Sequence, residues 1–286
     1  MLNEMNSLIH FQDVNFSYPN GTIALKEINL KINKGESIAV MGQNGAGKTT
    51  LVRMLNGLLR PTSGRVLIEG EDIITSTIGL LSKKVGIIFQ NPMHQLFSNT
   101  VAEEIKFSLK SLDLSKEEVE EKTNTILNEY GFERYADRSP MNLSGGESKK
   151  LAIASIMCRD PDILVFDEPT LGQDANEIKI FLDMLEKESK KKKTIIMVTH
   201  NVEFAFEHVP RVVLMTNGRI LADGPTNRLL TNETLVNRSS LILPQVFRLK
   251  LGLKTLGLEV PDNIIQKVDM VKFLSNYFET EKKEVN

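Results

Sequence analysis

Residues 42–49 read Gly42-Gln43-Asn44-Gly45-Ala46-Gly47-Lys48-Thr49. An apolar stretch, Ser37-Ile38-Ala39-Val40-Met41, leads into them, and a helical one, Leu51-Val52-Arg53-Met54-Leu55, follows. Placed between a strand and the first turn of a helix, this pattern is a phosphate-binding loop. Glycines let the backbone curl its N–H groups around the β- and γ-phosphates, and the helix N-terminus adds its partial positive charge. In such a loop Lys48 reaches the terminal phosphates and the Thr49 hydroxyl ligates Mg²⁺. The chain is expected to bind a nucleoside triphosphate, with Gly42, Gln43, Asn44, Gly45, Ala46, Gly47, Lys48, Thr49 and Thr50 around it.

Composition narrows what surrounds that loop. The 286 residues are 41% hydrophobic and 25% charged, enough for one large domain with a small appendage. A net charge of −2 supplies no general pull toward nucleic acid or acidic lipid. Cys158 is the single cysteine, so there is no disulfide framework, and a reducing compartment is the natural reading. It falls in the helical pattern Leu151-Ala152-Ile153-Ala154-Ser155-Ile156-Met157-Cys158 and reads as a small buried side chain. No apolar run approaches the roughly 20 residues needed to span a bilayer. The start, Met1-Leu2-Asn3-Glu4-Met5-Asn6, lacks a basic-then-apolar export signal. A cytoplasmic protein is expected, reaching a membrane only through a partner.

Hydrophobic spacing divides the chain. Residues 8–16 and the strict alternation of Ile28, Leu30 and Ile32 predict strands, as do residues 37–41, 64–69 and 85–90. Residues 101–112, 115–130 and 145–159 predict helices, the second opened by Ser115 with Glu118 three residues later. Strand–helix alternation then resumes with 162–166, 175–189, 194–199, a short helix from Val202, and 211–215. That order implies an α/β core with a largely parallel sheet and a grafted helical subdomain at about 91–160. Beyond Asn232 comes a leucine-rich segment: Leu241, Leu243, Val246, Leu249, Leu251, Leu253 and Leu256. Ile264, Ile265, Val268, Val271, Phe273 and Leu274 follow at helical spacing. It predicts a small helical domain over 232–286 after a nucleotide-binding domain over 1–231. Its stripe reads first as core, with part available to another subunit. The run Lys190-Lys191-Lys192-Lys193 reads as cations closing a helix and not as a nucleic-acid surface, since no aromatics interleave it. Glu117, Glu118, Glu120 and Glu121 read as a solvated helix face.

Two further motifs carry chemistry. Ile163-Leu164-Val165-Phe166-Asp167-Glu168-Pro169 is an apolar strand ending in two carboxylates. In a phosphate-loop protein the first, Asp167, holds Mg²⁺ through a water, while Glu168 polarises the attacking water. Leu143-Ser144-Gly145-Gly146-Glu147 precedes a helix and offers a hydroxyl and free N–H groups, a second anion site. One triphosphate cannot easily use both ends of one protomer. The economical arrangement is a head-to-tail dimer, with each nucleotide between the phosphate loop of one subunit and Ser144, Gly145 and Gly146 of the other.

With these motifs the sequence resembles the ATP-binding cassette (ABC) ATPases over at least residues 8–225. The resemblance implies a P-loop NTPase fold: a RecA-like core, an N-terminal β subdomain and an inserted helical subdomain. It also implies roles by position. Tyr18 would stack on adenine, and Gln90 would contact Mg²⁺ and sense a transmembrane partner. Asp174 would cross the dimer interface, and His200 would contact the γ-phosphate. His10, His94 and His208 receive no assignment. Three positions depart from the family pattern: Glu147 where Gln is usual, Lys149-Lys150 where an arginine is common, and Gly172-Gln173-Asp174. Glu147 adds negative charge near the second triphosphate site. Lys48, Asp167, Glu168 and His200 are all present, so these departures imply tuning of an active ATPase.

Phe89-Gln90-Asn91-Pro92-Met93-His94-Gln95-Leu96-Phe97, followed by Thr100-Val101-Ala102-Glu103-Glu104-Ile105-Lys106-Phe107, is similar to the ATPases of energy-coupling-factor (ECF) transporters, among them cobalt and nickel importers. That resemblance implies ATP hydrolysis with Mg²⁺ driving uptake of a vitamin or metal ion. It also implies a second cassette subunit, identical or paralogous, a transmembrane coupling subunit and a substrate-binding membrane subunit. The location implied is peripheral, on the cytoplasmic face of the membrane. The short C-terminal helical domain would contribute to dimerisation. A soluble cassette acting on ribosomes or DNA is the competing expectation, although such proteins usually carry two cassettes or a long coiled-coil insertion. An ATP-gated binding module with negligible turnover is a third, made conceivable by Glu147.

Overall fold

A computed structural model describes residues 7–91 and 95–284. The expectation about the chain start, and the Pro92, Met93 and His94 part of the ECF-like stretch, lie outside the described residues. The chain opens with β1 (Ser7–Ser17), β2 (Ile23–Asn33) and β3 (Ser37–Met41), then α1 (Lys48–Leu55), β4 (Ser63–Ile68) and β5 (Glu71–Asp72). Next come α2 (Ile78–Lys84), β6 (Val85–Ile88), α3 (Val101–Leu109), α4 (Lys116–Glu129) and α5 (Gly145–Met157). The core resumes with β7 (Ile163–Asp167), α6 (Ala175–Lys190), β8 (Thr194–Val198), α7 (Val202–His208), β9 (Arg211–Thr216) and β10 (Arg219–Pro225). Four helices end the chain: α8 (Thr226–Leu229), α9 (Glu233–Arg238), α10 (Gln245–Thr255) and α11 (Lys267–Glu284).

Two sheets form. A four-stranded antiparallel sheet has the order β2-β1-β4-β5, and a six-stranded sheet the order β10-β9-β3-β8-β7-β6. In the second sheet β6, β7, β8, β3 and β9 run parallel, and β10 closes one edge as an antiparallel hairpin. Every residue of β7 and β8 is buried, because layers cover both faces of this sheet. One layer is the antiparallel sheet with α1: Phe11, Leu25, Leu51 and Leu55 share a core with Val40, Val165 and Val213. The other face meets α6 and α7 through Phe181, Leu185 and Phe204. α3, α4 and α5 have their own core around Ile105, Leu127, Phe132 and Leu151. Ser115 caps α4 with the expected capping box.

Several expectations need correction. The helix from Val101 ends at Leu109 and that from Gly145 ends at Met157. β6 stops at Ile88, and at its end the Gln95 side chain accepts from Phe89 N–H at 3.0 Å and donates to Ile87 C=O at 2.8 Å. Lys193 does not close a helix in solvent. It is 5% exposed and pairs with Asp160 and, at 3.2 Å, with Glu188, itself 2% exposed. The charge of each is balanced before β8 begins, which burial of a lone ammonium would not permit. The C-terminal leucine stripe is not mainly core: Leu249, Leu251 and Leu256 are exposed, and the buried cluster there is Val246, Ile264 and Met270. Leu241 and Val236 pack instead into the core beside the six-stranded sheet, so that packing passes residue 231. The terminal helices also dock on α7: Phe206 meets Phe247 edge-on at 5.5 Å, and Lys267 lies 3.0 Å from both Glu203 and Glu207.

Candidate functional site

The register of the parallel sheet assembles the site. Val40 of β3 pairs with Val198 of β8, which pairs with Asp167 of β7. The carboxyl ends of three adjacent strands therefore present Gly42, Thr199-His200 and Asp167-Glu168 along one edge, where open α/β sheets bind ligands. Residue 90 follows β6 at the same edge. Tyr18, Asn44, Gly45, Gly47, Lys48, Thr49, Thr50, Gln90, Asp167, Glu168 and His200 together line a cleft of about 700 Å³.

Two glycines hold the loop in place by what they lack. Gly42 has φ 145° and Gly47 φ 101°. A Cβ at Gly42 would lie 2.1 Å from the Met215 carbonyl oxygen, and one at Gly47 2.6 Å from that of Ala24. The loop is thus wedged between the end of β9 and the start of β2, and only glycine fits. Gly47 is the N-cap of α1 and supplies no side-chain cap, so the first N–H groups of that helix point at the cleft without a side-chain acceptor. The Lys48 ammonium donates to the carbonyls of Gly42 at 2.7 Å and Gln43 at 2.9 Å. Burial holds Lys48 below its usual range, against the opposing pull of Glu168 and Asp167. Gln43 also accepts from the Ser240 hydroxyl at 2.9 Å, a contact with the C-terminal segment.

Thr49 donates its hydroxyl to Asp167 Oδ2 at 3.3 Å, and burial raises Asp167 above the usual carboxylate range. Two adjacent hard oxygen donors beside a phosphate cradle fit Mg²⁺. That ion needs few protein ligands when phosphates and waters complete its shell. No group of three His, Cys, Asp or Glu among the described residues could hold a metal unaided. Tyr18 hydroxyl pairs with Thr50 Oγ1 at 2.9 Å, and its ring meets Phe16 edge-on at 4.9 Å.

Glu168 stands in the left-handed region at φ 51°, with its N–H donating to Val198 C=O at 2.8 Å. Its carboxylate is held at both oxygens, by His200 Nδ1 at 2.7 Å and by Thr199 Oγ1 at 3.2 Å. Thr199 belongs to none of the sequence motifs. Its position directly before His200, at the end of an apolar strand, was the available signal.

Ser144, Gly145, Gly146 and Asp174 do not line this cleft. Ser144 is the N-cap of α5 and Asp174 the N-cap of α6, each in a capping box, with Glu147 and Glu177. A Cβ on Gly146 would come 2.7 Å from Glu177 Oε1, so the two helix starts are neighbours. Lys149 ties this region to the turn after β7 by donating to Pro169 C=O at 2.5 Å. The chain thus carries one uncapped helix start at the cleft and, outside the cleft, the side-chain-capped starts of α5 and α6.

A strand-bounded phosphate loop, a strand-end carboxylate pair and a histidine at the adjoining strand end define a P-loop nucleoside triphosphatase cassette. A family model described as ABC transporter matches residues 25–171. The chain belongs to the ABC transporter family. It is 40% identical over 259 residues to a putative ABC transporter ATP-binding protein of Methanosarcina acetivorans, covering 91% of this chain and 42% of that one. It is 41% identical to the energy-coupling factor transporter ATP-binding protein EcfA of Methanothermobacter thermautotrophicus, covering 88% and 82%. The chain thus spans less than half the length of the Methanosarcina relatives it matches, at 42% and 44%. Among solved structures, cbiO1 from Clostridium perfringens, part of the ABC transporter complex cbiONQ, aligns with TM-score 0.70 and 32% identity, covering 85% of this chain and 98% of that one. An ATP-binding cassette solved as a dimer in a post-hydrolysis state with ADP and Pi aligns with TM-score 0.68 and 27% identity, covering 76% and 98%.

Proposed function

We propose that this chain is the ATP-hydrolysing subunit of an ECF-type importer, held peripherally at the cytoplasmic face of the membrane. The convergence of Lys48, Thr49, Asp167, Glu168 and His200 in one cleft carries the reading of hydrolysis. The names and structures of the relatives support the transporter assignment, with a vitamin or transition-metal ion as cargo. Glu168 takes a proton from the attacking water, Lys48 and the loop N–H groups orient the β- and γ-phosphates, and His200 contacts the γ-phosphate. Thr49, Asp167 and Gln90 would hold Mg²⁺, which when bound neutralises developing charge on the phosphate oxygens. Ser144, Gly145, Gly146 and Asp174 complete the site of a second cassette, identical or paralogous, in a head-to-tail dimer, and residues 232–286 add to dimerisation. Gln90 passes closure of the dimer to a transmembrane coupling subunit, and a separate membrane subunit selects the cargo.

Co-purification tests this. Recovery with integral membrane proteins and Mg²⁺-dependent ATP hydrolysis is the expected result. Recovery with ribosomes or DNA from a membrane-free lysate overturns the transporter assignment.

A further inference from the structure

The two oxygens of Glu168 are held by groups of very different freedom. Oε1 accepts from His200, whose side chain is 56% exposed. Oε2 accepts from Thr199, which is fully buried. Thr199 has no slack. Its backbone N–H donates to Val40 C=O on β3 at 3.2 Å, and its hydroxyl oxygen accepts from Asn201 N–H at 3.0 Å. With a lone pair committed to Asn201, the hydroxyl hydrogen is directed at Glu168 Oε2. Asn201 is in turn the N-cap of α7, its side chain accepting from Phe204 N–H at 3.0 Å. Thr199 therefore joins three fixed elements: the strand that enters the phosphate loop, the helix after His200, and the carboxylate.

We infer that Thr199 is a positioning residue for Glu168. Its hydroxyl pins Oε2 so that Oε1 stays aimed at the attacking water when the exposed His200 ring turns to the γ-phosphate. Glu168 sits at φ 51°, a conformation a non-glycine residue keeps only when its surroundings determine it. Without an anchor at Oε2 the carboxylate would lose its fixed aim once His200 leaves. In the step served, a water proton passes to Glu168 Oε1 as the water oxygen bonds the γ-phosphorus. The bond from that phosphorus to the β–γ bridging oxygen breaks, and its electron pair leaves on ADP. The inference rests on the reading of Glu168 as base, and the experiment separates the two.

The test uses the full chain carrying Thr199→Val, Thr199→Ser, Glu168→Gln, and the double substitution Thr199→Val with Glu168→Gln, each measured for kcat, KM and ATP affinity with Mg²⁺. Thr199→Val is expected to lower kcat by about tenfold or more, the scale of one lost hydrogen bond to a charged group, while ATP affinity changes less than about twofold. Thr199→Ser, which keeps the hydroxyl, restores kcat to within about threefold of wild type. The double variant is no slower than Glu168→Gln alone, because Thr199 acts through that carboxylate. If Thr199→Val weakens the fold, Thr199→Ala removes the hydroxyl without adding volume and is held to the same expectation. Wild-type kcat in both hydroxyl-free variants, alongside an inactive Glu168→Gln, overturns the positioning role and leaves the base intact. So does a Thr199→Ser variant as slow as Thr199→Val. Normal turnover by Glu168→Gln overturns the base reading itself.

Discussion

Glu147 Oε2 accepts two hydrogen bonds from Ser144, one from its N–H and one from its hydroxyl, both at 2.8 Å. These bonds hold the Glu147 carboxyl below its usual range. The hydroxyl hydrogen that a phosphate oxygen would accept is thus taken by a carboxylate of the same charge sign. Glu147→Gln keeps an acceptor for the Ser144 N–H and removes that charge. The variant is expected to form the ATP-bound dimer at severalfold lower nucleotide concentration, measured by size-exclusion chromatography in Mg²⁺-free ATP. An unchanged concentration dependence would show that the carboxylate moves aside at no measurable cost.

Glu168→Gln should bind ATP normally, stop turnover and accumulate a closed dimer. The phosphate cradle, Lys48 and Asp167 are untouched, and the single amide oxygen can accept from the Thr199 hydroxyl while the amide NH2 faces His200 Nδ1. Loss of a general base commonly costs about 10²- to 10⁴-fold in rate. Phosphate release under saturating ATP measures it.

Ser144→Arg should abolish hydrolysis while leaving nucleotide binding at the same chain's loop intact, because Ser144 lies outside the cleft around Lys48. The arginine fills space needed by the opposing γ-phosphate. With an identical partner both sites fail together; with a paralogue only the site completed by Ser144 fails. Normal hydrolysis by this variant, read against ATP affinity at its own loop, refutes the composite site.

Cys158 is 1% exposed, and burial pushes its thiol up to about 11 from an ordinary value near 9. The folded thiol therefore stays neutral where the unfolded one ionises. Between those two values the unfolded state binds fewer protons, so stability falls as pH rises, by up to about 1.4 kcal/mol per pH unit. Well below pH 9 both states hold the proton and the group contributes no pH dependence. The difference in urea stability between wild type and Cys158→Ala, followed from pH 8 to 11, checks the sign. The native thiol should also resist alkylation at pH 8, so introduced surface cysteines can be labelled selectively.

Legibility in the sequence followed how local each signal was. Periodicity in β2, the buried runs of β3, β7 and β8, and the Ser115 capping box were readable because each is a statement about neighbours in the chain. The edge strand β10, the short strand β5 and helix α2 were not, because their residues are mixed in polarity and their structure depends on what they pair with. Lys193 shows the same limit from the charge side. Four consecutive lysines look alike in sequence, and only burial and the approach of Asp160 from the turn before β7 set the last apart, since Glu188 of α6 pairs with Lys191 as well as Lys193.

The sequence by itself determined the phosphate loop, the carboxylate pair and the family, since loop spacing and strand-end chemistry are written within runs of fewer than ten residues. Tertiary structure decided which side chains share one cleft and which do not. Sheet order places β8 between β3 and β7, so His200 and Thr199 reach Glu168 across about 30 residues of chain. Ser144 and Asp174, the N-caps of α5 and α6, stay outside that cleft. The physical reason is that strand pairing and burial are non-local: they fix distances between residues whose separation along the chain carries no information about them.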